Sequence, residues 1–306
     1  MGVKDKKPRI AYMCSYVPYK LMESLGFEMV FISGVYITST ETEKSLPVNV
    51  CSYVRYCQKA LNIEDFDGII LTNCCNGVQR LYDYIKTEIK GKFCHMLELH
   101  RDSSIKEYEF FYTSVCGLVS DICNFFSVEN TLLVDKILLQ EEKQEDKKDN
   151  IILMLGSAVG PQTVEEFSYY FKSYNILLKV CETRQSGDDL IKICDGLAEN
   201  DFTIPNEETL LKADPCPRMN YFDNWFKKWI EKKHSSISGV VYISPQRCDN
   251  FLLSYPYVKK ICDLFHIPII QIQEEYGSTA MGQHSVRLEA FSESLEFKRG
   301  KKRNEK

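Results

Sequence analysis

The chain carries 13 cysteines among its 306 residues, yet no two of them are spaced as C-x-x-C. That absence argues against zinc ribbons, thioredoxin-like redox sites and bacterial ferredoxin runs, each of which sets thiols two residues apart. Any metal centre has to be assembled from distant segments. There is also no G-x-G-x-x-G after a strand-like run and no G-x-x-x-x-G-K-[ST] loop, so the chain is expected to bind no nucleotide and to hydrolyse no ATP by itself. No apolar run approaches the roughly 18 residues of a membrane span. After the charged stretch from Met1 to Pro8 the first apolar run is only strand-sized, unlike a secretory leader. A net charge of −5 gives no reason to expect nucleic acid. The expectation is a cytoplasmic protein with neither a membrane nor a nucleic-acid partner, in which thiols serve metal or redox chemistry rather than disulfides.

What is present is an alternation of strand-like and helix-like segments. Apolar runs of strand length fall at 10–14, 29–33, 68–72, 93–97, 151–155, 176–181, 239–243 and 268–272, with helical patterns at 78–89, 164–174, 221–232 and 256–265. Such alternation predicts parallel sheets. The fold class is α/β: two Rossmann-like domains, each with a four-stranded, mostly parallel sheet. The expected boundaries are a first α/β domain over 1–100, a helical insertion and charged linker over 101–150, and a second α/β domain over 151–296. A basic flexible tail over 297–306 completes the chain. The turn opened by Gly156 and Ser157 follows a strand and precedes a helix, so it is a candidate cradle for a phosphate; a tight turn without ligand is the plainer reading.

Cys75 and Cys248 occupy look-alike places. The first follows the run Gly68 to Thr72 in Asn73-Cys74-Cys75-Asn76, and the second follows Gly239 to Ile243 in Gln246-Arg247-Cys248-Asp249; a helical pattern comes after each. A thiol at the carboxyl end of a strand and beside a helix N-terminus is favoured as thiolate, and open α/β sheets bind ligands at that end. Two such thiols from two halves could meet in one cleft.

Several motifs in order resemble the 2-hydroxyacyl-CoA dehydratase family, which includes benzoyl-CoA reductase subunits and double-cubane cluster proteins. They are Cys14-Ser15-Tyr16-Val17-Pro18 with Gly26, Cys51-Ser52-Tyr53-Val54-Arg55, Asn73-Cys74-Cys75-Asn76-Gly77 with Leu81-Tyr82-Asp83, Pro215-Cys216-Pro217-Arg218-Met219 and Arg247-Cys248-Asp249. Ile267 to Tyr276, followed by Gly282 to Phe291, completes the series. The resemblance implies an iron-sulfur cluster between the domains, held by Cys51, Cys75 and Cys248, with one iron of a four-iron four-sulfur cluster left open. It also implies an ATP-dependent iron-sulfur activator protein, and one-electron, ketyl-radical chemistry on an acyl-CoA thioester. Asn76 stands where the family commonly has Asp, and Tyr19-Lys20 replaces an acidic pair.

The double-cubane branch of the family needs more thiolates, for which Cys14, Cys74, Cys181 and Cys216 are candidates. A double-cubane reductase of small molecules, formed as a homodimer, is therefore one alternative. A non-catalytic cluster-binding or scaffold subunit beside a related subunit is another, and a zinc protein a more distant one. Gln283 and Arg287, four apart on a presumed helix, share a face and could reach the cleft, Arg287 to hold a phosphate or carboxylate. Glu274 and Glu275 follow the last strand, where a general base could sit, with Glu275 the catalytic candidate. Arg55, one turn past Cys51, could lend charge to the cluster. Cys123 and Cys262 read as core, His95 and His100 as ordinary core or surface histidines, and Cys57, Cys94, Cys116 and Cys194 carry no motif.

Overall fold

The computed structural model describes residues 6–32, 46–63, 65–102, 104–129, 149–159, 161–181, 186–191, 215–276 and 282–304. Cys194 and most of the expected charged linker lie outside the described residues, as does the side chain of Gln283. The first sheet is built from β1 (Arg9–Tyr12), β2 (Glu28–Phe31), β3 (Gly68–Thr72) and β4 (Phe93–Leu97), and the second from β5 (Ile151–Gly156), β6 (Asn175–Lys179), β7 (Ile237–Pro245) and β8 (Ile269–Glu274). Both are wholly parallel and share one topology, β2-β1-β3-β4 and β6-β5-β7-β8. In each half the chain winds outward, returns and continues on the other side. The crevice where the order reverses lies between the carboxyl ends of β1 and β3 in one half and of β5 and β7 in the other.

The strands are apolar on both faces because helices cover both. Alternate residues of β1 diverge, Ile10 and Tyr12 to one core and Ala11 to the other. Helices α1 (Tyr19–Ser24) and α4 (Ile105–Phe126) close the first face, through Leu21, Met22, Tyr108, Phe111, Val115 and Leu118. Helices α2 (Ser52–Ile63) and α3 (Asn76–Glu88) close the second, through Val54, Cys57, Val78 and Leu81. The helix that the sequence placed between the domains is thus a layer of the first one. In the second half α6 (Phe222–Lys233) and α7 (Asp249–Leu264) cover one face of the sheet, while α5 (Pro161–Tyr170) and α8 (Gly282–Asn304) cover the other. Helix α7 begins seven residues ahead of Pro256 and passes through it. Helix α8 continues through Asn304 where a tail from 297 is expected. Lys and Arg are good helix formers and their charge suits a helix C-terminus.

The halves are stitched by segments that cross between them. Residues 186–191 of the second half dock on the first, where Gly187 N–H donates to Ser15 O at 2.9 Å. A Cβ at Gly187 would lie 2.3 Å from Tyr16 O, so only glycine admits this approach. The next residue, Asp188, has no exposed surface. It accepts the Lys20 N–H at 3.4 Å and the Leu21 N–H at 3.3 Å, and so caps α1, which has no side-chain cap of its own. Leu190, Ile191 and Met219 enter the core of the first domain.

Candidate functional site

Cys75 is the N-cap residue of α3 and Cys248 that of α7, while Cys51 immediately precedes α2. Three helix N-termini, two from the first domain and one from the second, therefore bring a thiol each to the interdomain crevice. Cys51 and Cys248 are hydrogen-bonded to each other, and Cys75 is within electrostatic reach of both. The Tyr53 and Val54 amides donate to Cys51, those of Gly77 and Val78 to Cys75, and that of Phe251 to Cys248. Arg247, ahead of Cys248, holds the left-handed φ of 61°, a conformation that costs a non-glycine residue about 1 kcal/mol or more.

This setting favours thiolates at Cys75 and Cys51. The hydrogen bond from Cys74 first, then the Val78 and Gly77 amides and the charge of Arg218, bring Cys75 down to about 6 against the upward push of burial. Cys51 is lowered chiefly by its hydrogen bond from Cys248, and Cys248 is raised by the same bond. The pair gives up one proton readily and holds the second. Deprotonated sulfur is the form that ligates metal.

A second thiol group adjoins the first. Cys14 is hydrogen-bonded to Cys181 and feels Cys216, and Cys74 feels Cys14 while bonding to Cys75. Cys74 and Cys75 thus link a trio on one side (Cys51, Cys75, Cys248) to Cys14, Cys181 and Cys216 on the other. Among the described residues no three Cys, His, Asp or Glu side chains gather tightly enough to hold one metal ion. A cluster makes a different demand, since its thiolates bind separate irons and must ring the site rather than meet at a point. An all-thiol donor set of partly buried sulfurs backed by amide N–H groups fits an iron-sulfur cluster.

Around these thiols the domains are bonded together. The Ser52 N–H donates to Gln246 O at 3.0 Å, and its hydroxyl donates to Glu274 O at 2.8 Å. Asn250 Nδ2 donates to Cys74 O at 3.3 Å. Arg55 and Glu275, expected to serve a cluster and catalysis separately, form one ion pair across the domain boundary, with side chains only 17% and 27% exposed. The Glu275 carboxylate is thereby committed to a guanidinium. Tyr276 follows, its ring 5.0 Å from that of Tyr53 and 5.9 Å from that of Tyr56.

At the candidate phosphate cradle the turn is met by Tyr276. Tyr276 OH lies 3.1 Å from Ser157 Oγ and also donates to Ala158 O. Gly156 sits at φ 141° against β7, where a Cβ would be 2.0 Å from Ile243 O. The turn is fixed by close packing. Glu274, the last residue of β8, accepts a hydrogen bond from Thr163 Oγ1 at 3.0 Å. Arg287 is exposed and donates from Nη2 to Gln271 O at 2.9 Å, on β8. Helix α8 turns Leu288 and Leu295 to the core, which leaves position 287 outside.

The residue that sequence reasoning passed over is Arg218, in the Pro-Cys-Pro-Arg loop that had been read for Cys216 alone. It is 8% exposed and donates to Cys74 O, His100 O and Asn73 O at 3.2, 3.0 and 3.5 Å. His100 beside it is 1% exposed and lowered to about 4, mainly by burial, so it stays neutral near pH 7. Its burial fits the plain reading of a core histidine.

With this geometry in view, comparison with known proteins is decisive at one level. The family described as 2-hydroxyglutaryl-CoA dehydratase, D-component, matches residues 14–133 and 132–295. The chain belongs to that D-component family. It is also similar to the protein named (R)-2-hydroxyglutaryl-CoA dehydratase, subunit beta, of Acidaminococcus fermentans, with 38% identity over 63 residues. That stretch is 21% of this chain and 17% of the relative. Among the described residues no helix of this D-component relative is long and apolar enough to cross a membrane.

Proposed function

We propose that the chain is the iron-sulfur subunit of an activator-dependent 2-hydroxyacyl-CoA dehydratase or acyl-CoA reductase. The observation that carries this reading is the convergence of Cys51, Cys75 and Cys248 at three helix N-termini in the interdomain crevice. When bound there, the cluster would supply one-electron chemistry and an iron with an open position. The chain's own part is to hold the three sulfurs beside amide N–H groups, to fix the crevice through Ser52 and the Arg55–Glu275 pair, and to limit water with Tyr53, Tyr56 and Tyr276. Membership of the D-component family supports a partner subunit or activator. The absence of an ATP loop from the sequence fits an activator that hydrolyses ATP on its own chain.

The second thiol group favours an alternative, a double-cubane reductase of small molecules, because Cys14, Cys181, Cys216 and Cys74 adjoin the trio without interruption. Replacing Cys75 by Ser should lose most of the iron under either reading. Full retention of iron by Cys75→Ser would remove the trio as ligands. Replacing Cys14 and Cys181 together separates the two readings: about half the iron is lost from a double cubane and none from a single one.

A further inference from the structure

Among the described residues Arg218 is a buried cation with no carboxylate partner. Its guanidinium is met by backbone carbonyls and the Asn73 side-chain amide, all neutral acceptors. Asp102, in the loop after His100, accepts a hydrogen bond from Asn220 Nδ2 at 2.7 Å, and Glu107 accepts the Arg101 N–H at 3.0 Å. Moving a guanidinium out of water is costly, and carbonyl oxygens repay only part of that cost; buried charges are as a rule paired or bound to metal centres. Arg218 is also held in place more firmly than a surface charge, with its fork spread over the Asn73–Cys74 turn and the carbonyl of His100. That turn carries Cys75.

We propose that Arg218 is the positioning residue and fixed counter-charge of the thiolate-bound centre, clamping the turn that presents Cys75 and raising the reduction potential of the cluster beside it. The inference rests on the proposed cluster and concerns a residue outside its ligand set. A fixed positive charge stabilises the reduced, more negative state of a cluster over the oxidised one. Its removal makes the potential more negative. Asn250 is the neutral control, because it donates to the same Cys74 carbonyl without bringing charge.

The test compares wild type, Arg218→Lys, Arg218→Gln and Asn250→Ala, all purified anaerobically as full chains. Iron and sulfide are read first, then the midpoint potential by electron paramagnetic resonance during a redox titration at one pH, with urea unfolding as a measure of fold. Arg218→Gln should show a shift to more negative potential, well outside replicate scatter, while Arg218→Lys and Asn250→Ala stay at the wild-type value. Loss of iron from Arg218→Gln with full retention in Arg218→Lys also supports the assignment, since charge then holds the centre where the fork does not. An unchanged potential in Arg218→Gln at full iron overturns it, as does equal loss of iron from both Arg218 variants, or a shifted potential in Arg218→Lys. Wild type without a cluster, even after reconstitution, defeats the proposed function itself and is told apart by being read first.

Discussion

Replacing Glu274 by Gln should stabilise the protein at pH 8 and do little at pH 5. Thr163 Oγ1 bonds to Oε1 of this carboxyl, while Oε2 is shut off from solvent with no partner among the described residues. Burial, with a smaller contribution from Glu166, pushes it up to about 7 from an ordinary 4.5. Between these values the unfolded chain has lost a proton that the folded chain keeps. The unfolded state then binds fewer protons, so stability falls as pH rises through that window and is lowest above the folded value. At roughly 1.4 kcal/mol per tenfold change, the loss is under about 1 kcal/mol at pH 5 and roughly 3 kcal/mol at pH 8. Glutamine keeps an acceptor for Thr163 and ionises at neither pH. Urea unfolding of both proteins at pH 5 and pH 8 reads the difference, and the comparison cancels other titrating groups such as Asp188, which burial also pushes up to about 7. The same gap at both pH values, or a wild type that is the more stable at pH 8, would refute burial of the carboxyl as the cause.

Gly187→Ala should lower the unfolding free energy by about 2 kcal/mol or more, because its Cβ meets the backbone of Tyr16 rather than a yielding side chain; an unchanged urea midpoint would show that segment 186–191 is not docked. A double-mutant cycle on Arg55→Ala and Glu275→Ala should give a coupling of about 1 kcal/mol, since the pair is mostly shielded from solvent, and a coupling near zero would dissolve the interdomain pair. Cys262→Ala should keep its full iron, as that thiol lies wholly within the core under α7, whereas Cys248→Ser should not; iron analysis of the two side by side decides whether position or mere thiol count matters.

The eight strands were legible because each is a short, mainly apolar run, and a sheet covered on both faces makes such runs nearly continuous. The places of Cys75 and Cys248 were legible for a related reason: a cysteine between a strand's end and a helix start has few places to go in a parallel sheet, whereas Cys51 follows no strand end among the described residues and was pointed to only by the family resemblance. What the sequence hid was orientation. Gln283 and Arg287 share a helical face by spacing, but spacing does not say which way the face turns, and Leu288 and Leu295 turn Arg287 to β8. Glu275 and Arg55 are 220 residues apart, and no local pattern pairs them. Arg218 was hidden most deeply, because its partners are backbone carbonyls, which every residue possesses. The start of α7 was obscured by Pro256, which forfeits one internal hydrogen bond and yet stays within a helix whose other contacts hold it.

The most direct test of the central claim is iron and acid-labile sulfide per chain after strictly anaerobic purification, read with the electron paramagnetic resonance spectrum of the reduced protein. The account predicts about four irons for a single cubane on Cys51, Cys75 and Cys248, or about eight if the second thiol group is also occupied. No iron and no cluster signal, even after reconstitution with iron and sulfide, would contradict it and return those cysteines to the core.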